Sequence, residues 1–168
     1  GFELEVISEK MASPAWTPES AEISVLGYKE GTLVARIPIA GIAEPGDEER
    51  LLLAEGAPTC RVMGPAAYSL DEVTPGAILV TDQTVRSVEK EAAEKGAIAI
   101  VSWYQLPYCQ DPTGNQRHID AIFHGTVRPG STLPSFYVSP RIADVMRVAS
   151  TRGATFGLLG KGKTEVRE

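Results

Sequence analysis

Residues 75–104, PGAILVTDQTVRSVEKEAAEKGAIAIVSWY, restrict the fold more than any other stretch. Residues 77–81 form a short apolar run opened by the turn pair Pro75-Gly76, which reads as a buried strand. Thr84 stands where a helix cap belongs, and Val85, Val88, Ala92 and Ala93 recur near the helical period. Glu89, Lys90, Glu91, Glu94 and Lys95 are assigned to the opposite, solvent-facing side, and Gly96 to the stop. Residues 97–104 are a second apolar run, too rich in β-branched side chains to prolong the helix. Strand, helix and strand within about 30 residues is the size of one βαβ unit, so the two strands are expected to lie parallel. A nucleotide site at the start of that helix is not expected, because Asp82-Gln83-Thr84 supplies neither glycines nor a basic residue.

Elsewhere the pattern is one of strands and turns. Residues 1–7 alternate apolar and acidic side chains, as a half-exposed strand does. Residues 11–20 carry Pro14 and Pro18 around Trp16, which predicts an extended, irregular segment whose indole plugs the edge of a core. Strands are expected at 22–26 and 32–39, separated by a turn around 27–31, with Pro38 at an edge or a strand end. Residues 43–50 read as a polar turn, 59–63 as a short strand, and 51–55 as a strand or a helix. The segment 105–132 is long and polar, with room for a short strand at 121–123; loops of this length tend to be functional or disordered. Residues 133–139 form a strand that runs into a helix. Ser139 is placed as its N-cap and Pro140 at its first position, and Ile142, Val145, Met146 and Ala149 form its apolar face. Gly153 ends that helix, and 154–159 is the last strand.

The 168 residues suffice for one domain with a proper core. A net charge of −6 argues against nucleic acid as a partner, since phosphate binding wants a basic face. No apolar run approaches the roughly 18 residues of a membrane span, and no signal peptide is visible at Gly1. Cys60 and Cys109 are either a disulfide or two ordinary thiols.

Two motifs together carry a resemblance. Gly76-Ala-Ile-Leu-Val80, the helix ending in Glu94-Lys-Gly-Ala97, and Ile98-Ala-Ile-Val101 resemble the core of the protease-associated (PA) domain, with Val85 in the family's aromatic position. Leu133-Pro-Ser-Phe-Tyr-Val-Ser139 is similar to the family's strand before its second helix. Residues 1–7, Pro14-Ala-Trp-Thr-Pro18 and Glu22-Ile-Ser-Val25 are similar to the segment leading into the PA insertion of zinc-dependent aminopeptidases. The chain departs from the pattern in its 105–132 loop and in Asp82-Gln83, where the family has a glycine-rich turn. The resemblance implies a β-rich α/β chain with a swivelling β/β/α fold, a β-sandwich or open barrel flanked by two main helices. It places the PA domain at 21–160, a lead-in from a neighbouring peptidase domain at 1–20, and a polar tail at 161–168. It further implies a non-catalytic lid or recognition module with no catalytic residue or cofactor of its own. The zinc then belongs to the parent's catalytic domain. The partners are that domain in the same chain and a peptide or protein substrate; the resemblance favours a secreted or cell-envelope setting and leaves a cytoplasmic one open.

The chemistry legible in the residues themselves is sparse. His118-Ile119-Asp120 has the H-x-D spacing of a co-catalytic zinc site, but it follows a polar run and has no Glu-Glu pair downstream. His118, Asp120 and His124, with Cys109 or Asp111, are by ligand type a second possibility, a small metal-dependent hydrolase. Ser102, Ser135 and Ser139 lack a nucleophile elbow. What remains is recognition: Trp103, Tyr104, Tyr108, Arg117, His118, Phe123 and His124 gather on and beside the long loop, and aromatics and arginine dominate contact energy at interfaces. Such a surface also suits a free-standing peptide- or protein-binding module. The alternative for the aromatics is that Trp103 and Tyr104 finish a buried strand and Phe123 pins the loop down.

Overall fold

The computed structural model describes residues 15–42, 51–107 and 118–165. The expected strand at 1–7, the turn at 43–50, and Tyr108, Cys109, Asp111 and Arg117 lie outside them. The described residues form nine strands and two main helices: β1 (Ala15–Lys29), β2 (Thr32–Ile42), β3 (Leu51–Leu53), β4 (Cys60–Gly64), β5 (Ala66–Ala67), β6 (Ile78–Thr81), α1 (Val85–Glu94), β7 (Ala99–Ser102), β8 (Ser135–Val138), α2 (Pro140–Ser150) and β9 (Thr155–Glu165). They make two sheets, a four-stranded one in the order β2-β1-β9-β4 and a five-stranded one in the order β3-β8-β7-β6-β5. The expected fold class, β-rich α/β with two main helices, is the one observed.

The βαβ unit sits at the centre of the five-stranded sheet. β6 and β7 pair parallel from Ile78↔Ala99 to Thr81↔Ser102, and β8 continues the parallel set on the far side of β7. Every residue of β6, β7 and β8 is buried, which is why these strands read as unbroken apolar runs rather than alternating ones. β3 settles the open choice at 51–55 as a strand, antiparallel to β8. Ala121, Ile122 and Phe123 are not a strand. The local pairing is instead a single bridge between Glu55 and Thr126.

Both helices differ from expectation in which side chains face inward. Val85, Val88, Glu89 and Ala92 are the buried residues of α1, so Glu89 takes the place expected for Ala93, which is exposed. In α2 the buried set is Ile142, Ala143 and Met146, while Val145 is exposed. Thr84 and Ser139 occupy the cap positions, but neither side chain makes a capping hydrogen bond. Thr84 Oγ1 instead bonds Ser87, whose own hydroxyl returns a bond to the Thr84 carbonyl.

The four-stranded sheet is longer than its apolar pattern suggests. β1 runs without a break from Ala15 to Lys29, and its partner β9 runs to Glu165, so the expected boundaries at 20/21 and 160/161 fall inside paired strands. Trp16 is half-buried against the core and lies over Gly162, where an added Cβ would stand 2.5 Å from the indole. β1 and β2 are joined by the two-residue turn Glu30-Gly31, both at positive φ, the geometry that matches the twist of a tight hairpin. Pro38 lies on β2, which is an edge strand as its missing N–H requires.

Cys60, at the start of β4, carries a free thiol. Burial pushes its pKa up to about 11, against a smaller opposing effect of a hydrogen bond with the Gly160 backbone. Two units above the ordinary 9.0 leave about a hundredfold less thiolate near pH 8. In a Cys109→Ser variant, iodoacetamide should therefore alkylate the folded chain at least about tenfold more slowly than the urea-unfolded chain. Equal rates would contradict this account of Cys60.

Candidate functional site

The parallel strands β6, β7 and β8 end together, and the segment that follows β7 returns over their ends. Ser102 Oγ donates to the Gln83 carbonyl at 2.6 Å and accepts from the Tyr104 N–H, and the Trp103 N–H reaches the Thr81 carbonyl. These bonds turn the chain out of the sheet at Trp103. Gln105 Nε2 then donates to the carbonyls of His118 and Ala121 at 2.7 and 3.2 Å, tying the start of the long loop to its middle.

Phe123 is the anchor of the returning segment. Its ring makes edge contacts with Tyr104 at 4.9 Å and with Tyr137 at 5.3 Å between centroids. Edge-to-face pairs of this kind add about 0.5–1.5 kcal/mol to the burial they accompany. Tyr137 is itself fully buried, and its hydroxyl accepts the Val85 N–H at the start of α1. Burial raises the Tyr137 pKa, so the phenol stays neutral. Trp103, Tyr104 and Phe123 are all half-buried against the core, His118 is half-buried and His124 is exposed. The structure thus gathers Tyr104 and Phe123 around Tyr137, a residue outside the expected set.

Charged groups fasten the same segment at its two ends. Arg141, at the start of α2, makes a two-pronged contact with Asp120 at 2.6 and 2.9 Å, and its N–H donates to the Ile119 carbonyl. Asp120 thereby raises the Arg141 pKa. At the other end Arg86 donates to the Val127 carbonyl, and Arg128 donates to the Arg86 carbonyl at 2.9 Å. Arg128 also pairs with Glu89 at 3.2 Å, whose carboxylate is almost wholly buried and whose second oxygen has no hydrogen-bond partner.

The sequence reading missed Glu89, Arg128 and Arg141. For Glu89 a signal existed: 85, 88, 89 and 92 are the spacing of a buried helical stripe, and the acidic character of the residue masked it. For Arg128 and Arg141 there was none, because their partners lie 39 and 21 residues away.

Several polar groups of this arrangement are already engaged within the chain. The Ser102 and Ser135 hydroxyls donate to backbone carbonyls. Asp120 of the H-x-D sequence faces a guanidinium. Among the described residues no group of three His, Cys, Asp or Glu side chains is placed to hold a metal ion. None of the described helices is long and apolar enough to cross a membrane.

No family model matches the sequence, and no curated protein does. Among solved structures, the fold is similar to the crystal structure of a peptidase M28 precursor from Shewanella amazonensis SB2B, with a TM-score of 0.58 at 15% identity. The match covers 91% of this chain and 36% of that one, so the chain spans little more than a third of the length of the structure it resembles. At this identity the likeness is one of fold.

Proposed function

We propose that the chain is a protease-associated domain carried within a larger zinc-dependent aminopeptidase, where it acts without chemistry of its own as a lid or substrate-recognition module. The observation that carries this reading is the pairing of Ala15 with Glu165. The described fold is entered and left through one antiparallel ribbon, so its two ends lie side by side. A unit with adjacent ends can be set into a loop of another domain without disturbing that domain's own fold. The partial coverage of the peptidase M28 precursor supports the same picture of one part of a longer peptidase.

In this reading the pinned segment 118–128 and the aromatics beside it form the face turned to substrate, because a rigid β core positions a loop over a neighbouring cleft. In this reading the zinc of such a peptidase belongs to the remainder of the enzyme, and Asp120 serves to hold Arg141.

Replacing residues 15–165 by a short turn in the parent peptidase should leave cleavage of a dipeptide-sized substrate within about threefold and change the preference for short over long peptides by tenfold or more. A folded deletion with unchanged size preference sinks the lid.

A further inference from the structure

We infer that the groove between α2 and β1 holds the carboxyl-terminal end of a peptide, its apolar side chains against the valines of α2 and its carboxylate on Arg152. This rests on the reading of the chain as part of an aminopeptidase, and names the end of the substrate that the chain holds. α2 has two working faces. Ile142, Ala143 and Met146 point into the core. On another side Arg141, Val145, Val148 and, just past the last turn, Arg152 recur at the helical spacings of four, three and four. With Val25 of β1 and Ile119 they line a groove of about 610 Å³, a volume within the range of small-ligand sites. Val145 and Val148 are 40% and 60% exposed, so the apolar wall of the groove is open.

Charge narrows the occupant. Arg141 is taken up by Asp120, and Asp144, which also lines the groove, by Arg147. Arg152 is exposed, and among the described residues its guanidinium has neither an ion pair nor a hydrogen bond. The groove therefore carries one uncompensated positive charge in a chain of net charge −6. An apolar ligand with a single carboxylate complements it. The aliphatic part covers the valines, and the planar guanidinium fork takes both carboxylate oxygens.

Among ligands of that chemistry, the place of the groove favours a peptide terminus. Ile119 belongs to the segment 118–128 that faces substrate in the reading above, and its carbonyl accepts the Arg141 N–H. An aminopeptidase cleaves at the amino terminus, so the end left for a non-catalytic module is the distal one. A module that grips this end sets the peptide length able to reach both sites at once, and a peptide too short to span them loses the second contact.

Titration of acetyl-Ala-Leu-Val, as the free acid and as its carboxyl-terminal amide, into the isotope-labelled 168-residue chain tests this by NMR. The acid should shift the backbone amides of Ile119, Val145, Val148 and Arg152 with a Kd of roughly 0.1–1 mM, and the amide should bind at least about fivefold more weakly. Arg152→Gln should bring the acid down to the affinity of the amide and leave the amide unchanged. Val148→Asp should abolish both. Both positions are exposed, and unshifted resonances elsewhere verify that each variant is folded. Equal affinity for acid and amide, or no shift in the groove at about 5 mM peptide, overturns the inference. Tighter binding of sodium decanoate gives the groove to a lipid-like carboxylate. Groove shifts that grow with protein concentration without peptide give it to a second copy, and either result overturns the inference as well. The titration uses this chain alone, so its failure leaves the size-preference test of the parent peptidase standing, and a failed lid leaves the titration result standing.

Discussion

Gly125→Ala should destabilise the chain by about 2–4 kcal/mol, the largest effect expected of any single methyl group added to the loop. A Cβ at this position would stand 2.5 Å from the Tyr137 hydroxyl oxygen, 2.6 Å from Cζ and 2.8 Å from Cε2. Neither side can retreat. Tyr137 is 1% exposed, packs against Phe123, and is held at its hydroxyl by the Val85 N–H. Gly125 is held by its carbonyl, which accepts the Glu55 N–H at 2.9 Å just beyond β3. Relief therefore requires either moving the ring, which strips the first N–H of α1 of its partner, or lifting the returning segment off the sheet.

Urea denaturation with the m-value held constant measures the loss. Tyr137→Phe alone should cost about 1–3 kcal/mol, since it removes only the acceptor for a buried N–H. Combining Gly125→Ala with Tyr137→Leu should cost at least about 1 kcal/mol less than the sum of the two single changes, because the smaller side chain vacates the space the new methyl group needs. A Gly125→Ala variant within about 0.5 kcal/mol of wild type would show that the loop backbone is free to move, and the pinned surface would be lost with it.

That pinned surface was only half legible in the sequence, for a physical reason. The βαβ unit could be read because each of its signals is local: a turn pair, a period of 3.6, a glycine stop, a β-branched run. β8 and the start of α2 were legible on the same grounds, with Pro140 fixing the helix start. The pins on the loop are not local. Phe123 meets Tyr104 and Tyr137, and Arg128 meets Glu89, across separations that no periodicity encodes. Tyr137 read as one more apolar strand residue, although it is the one the aromatics and the start of α1 share.

The same distinction explains the ends of the fold. Residues 15–20 contain two prolines of the motif around Trp16 within or beside them and look irregular by composition, yet β9 supplies a partner from the far end of the chain. Lys161–Lys163 look like a tail for the same reason. Pairing across some 150 residues turns both into one ribbon, whose glycine at 162 makes room for the Trp16 ring. What identifies the unit as an inserted one under our proposal is therefore a long-range pairing. The local motifs identify only its core.

The two helix stops offer a controlled comparison, and they lead to the second large prediction. Both helices end in the same pattern of hydrogen bonds. The Gly96 N–H returns to Ala93 and the Ala97 N–H to Ala92, as the Gly153 N–H returns to Ser150 and the Ala154 N–H to Ala149. Both glycines are left-handed, at φ +88 and +76. An alanine at either position should meet the same backbone strain, about 1–2 kcal/mol. Their surroundings differ. Around Gly153 nothing lies within 4 Å of an added Cβ, whereas at Gly96 it would stand 2.9 Å from the Pro75 Cα and 3.2 Å from the Pro75 Cβ. The Pro75-Gly76 turn cannot yield easily, because the Gly76 N–H is bonded to the Gly96 carbonyl at 2.9 Å and the turn leads directly into β6. Gly96→Ala should thus cost about 3–4 kcal/mol in urea unfolding, and Gly153→Ala only about 1–2. The difference isolates the contact between the end of α1 and the entrance to β6, since the strain common to both cancels. Equal losses at the two sites would mean that the turn relaxes, and that Gly96 serves its helix alone rather than the joint between helix and sheet.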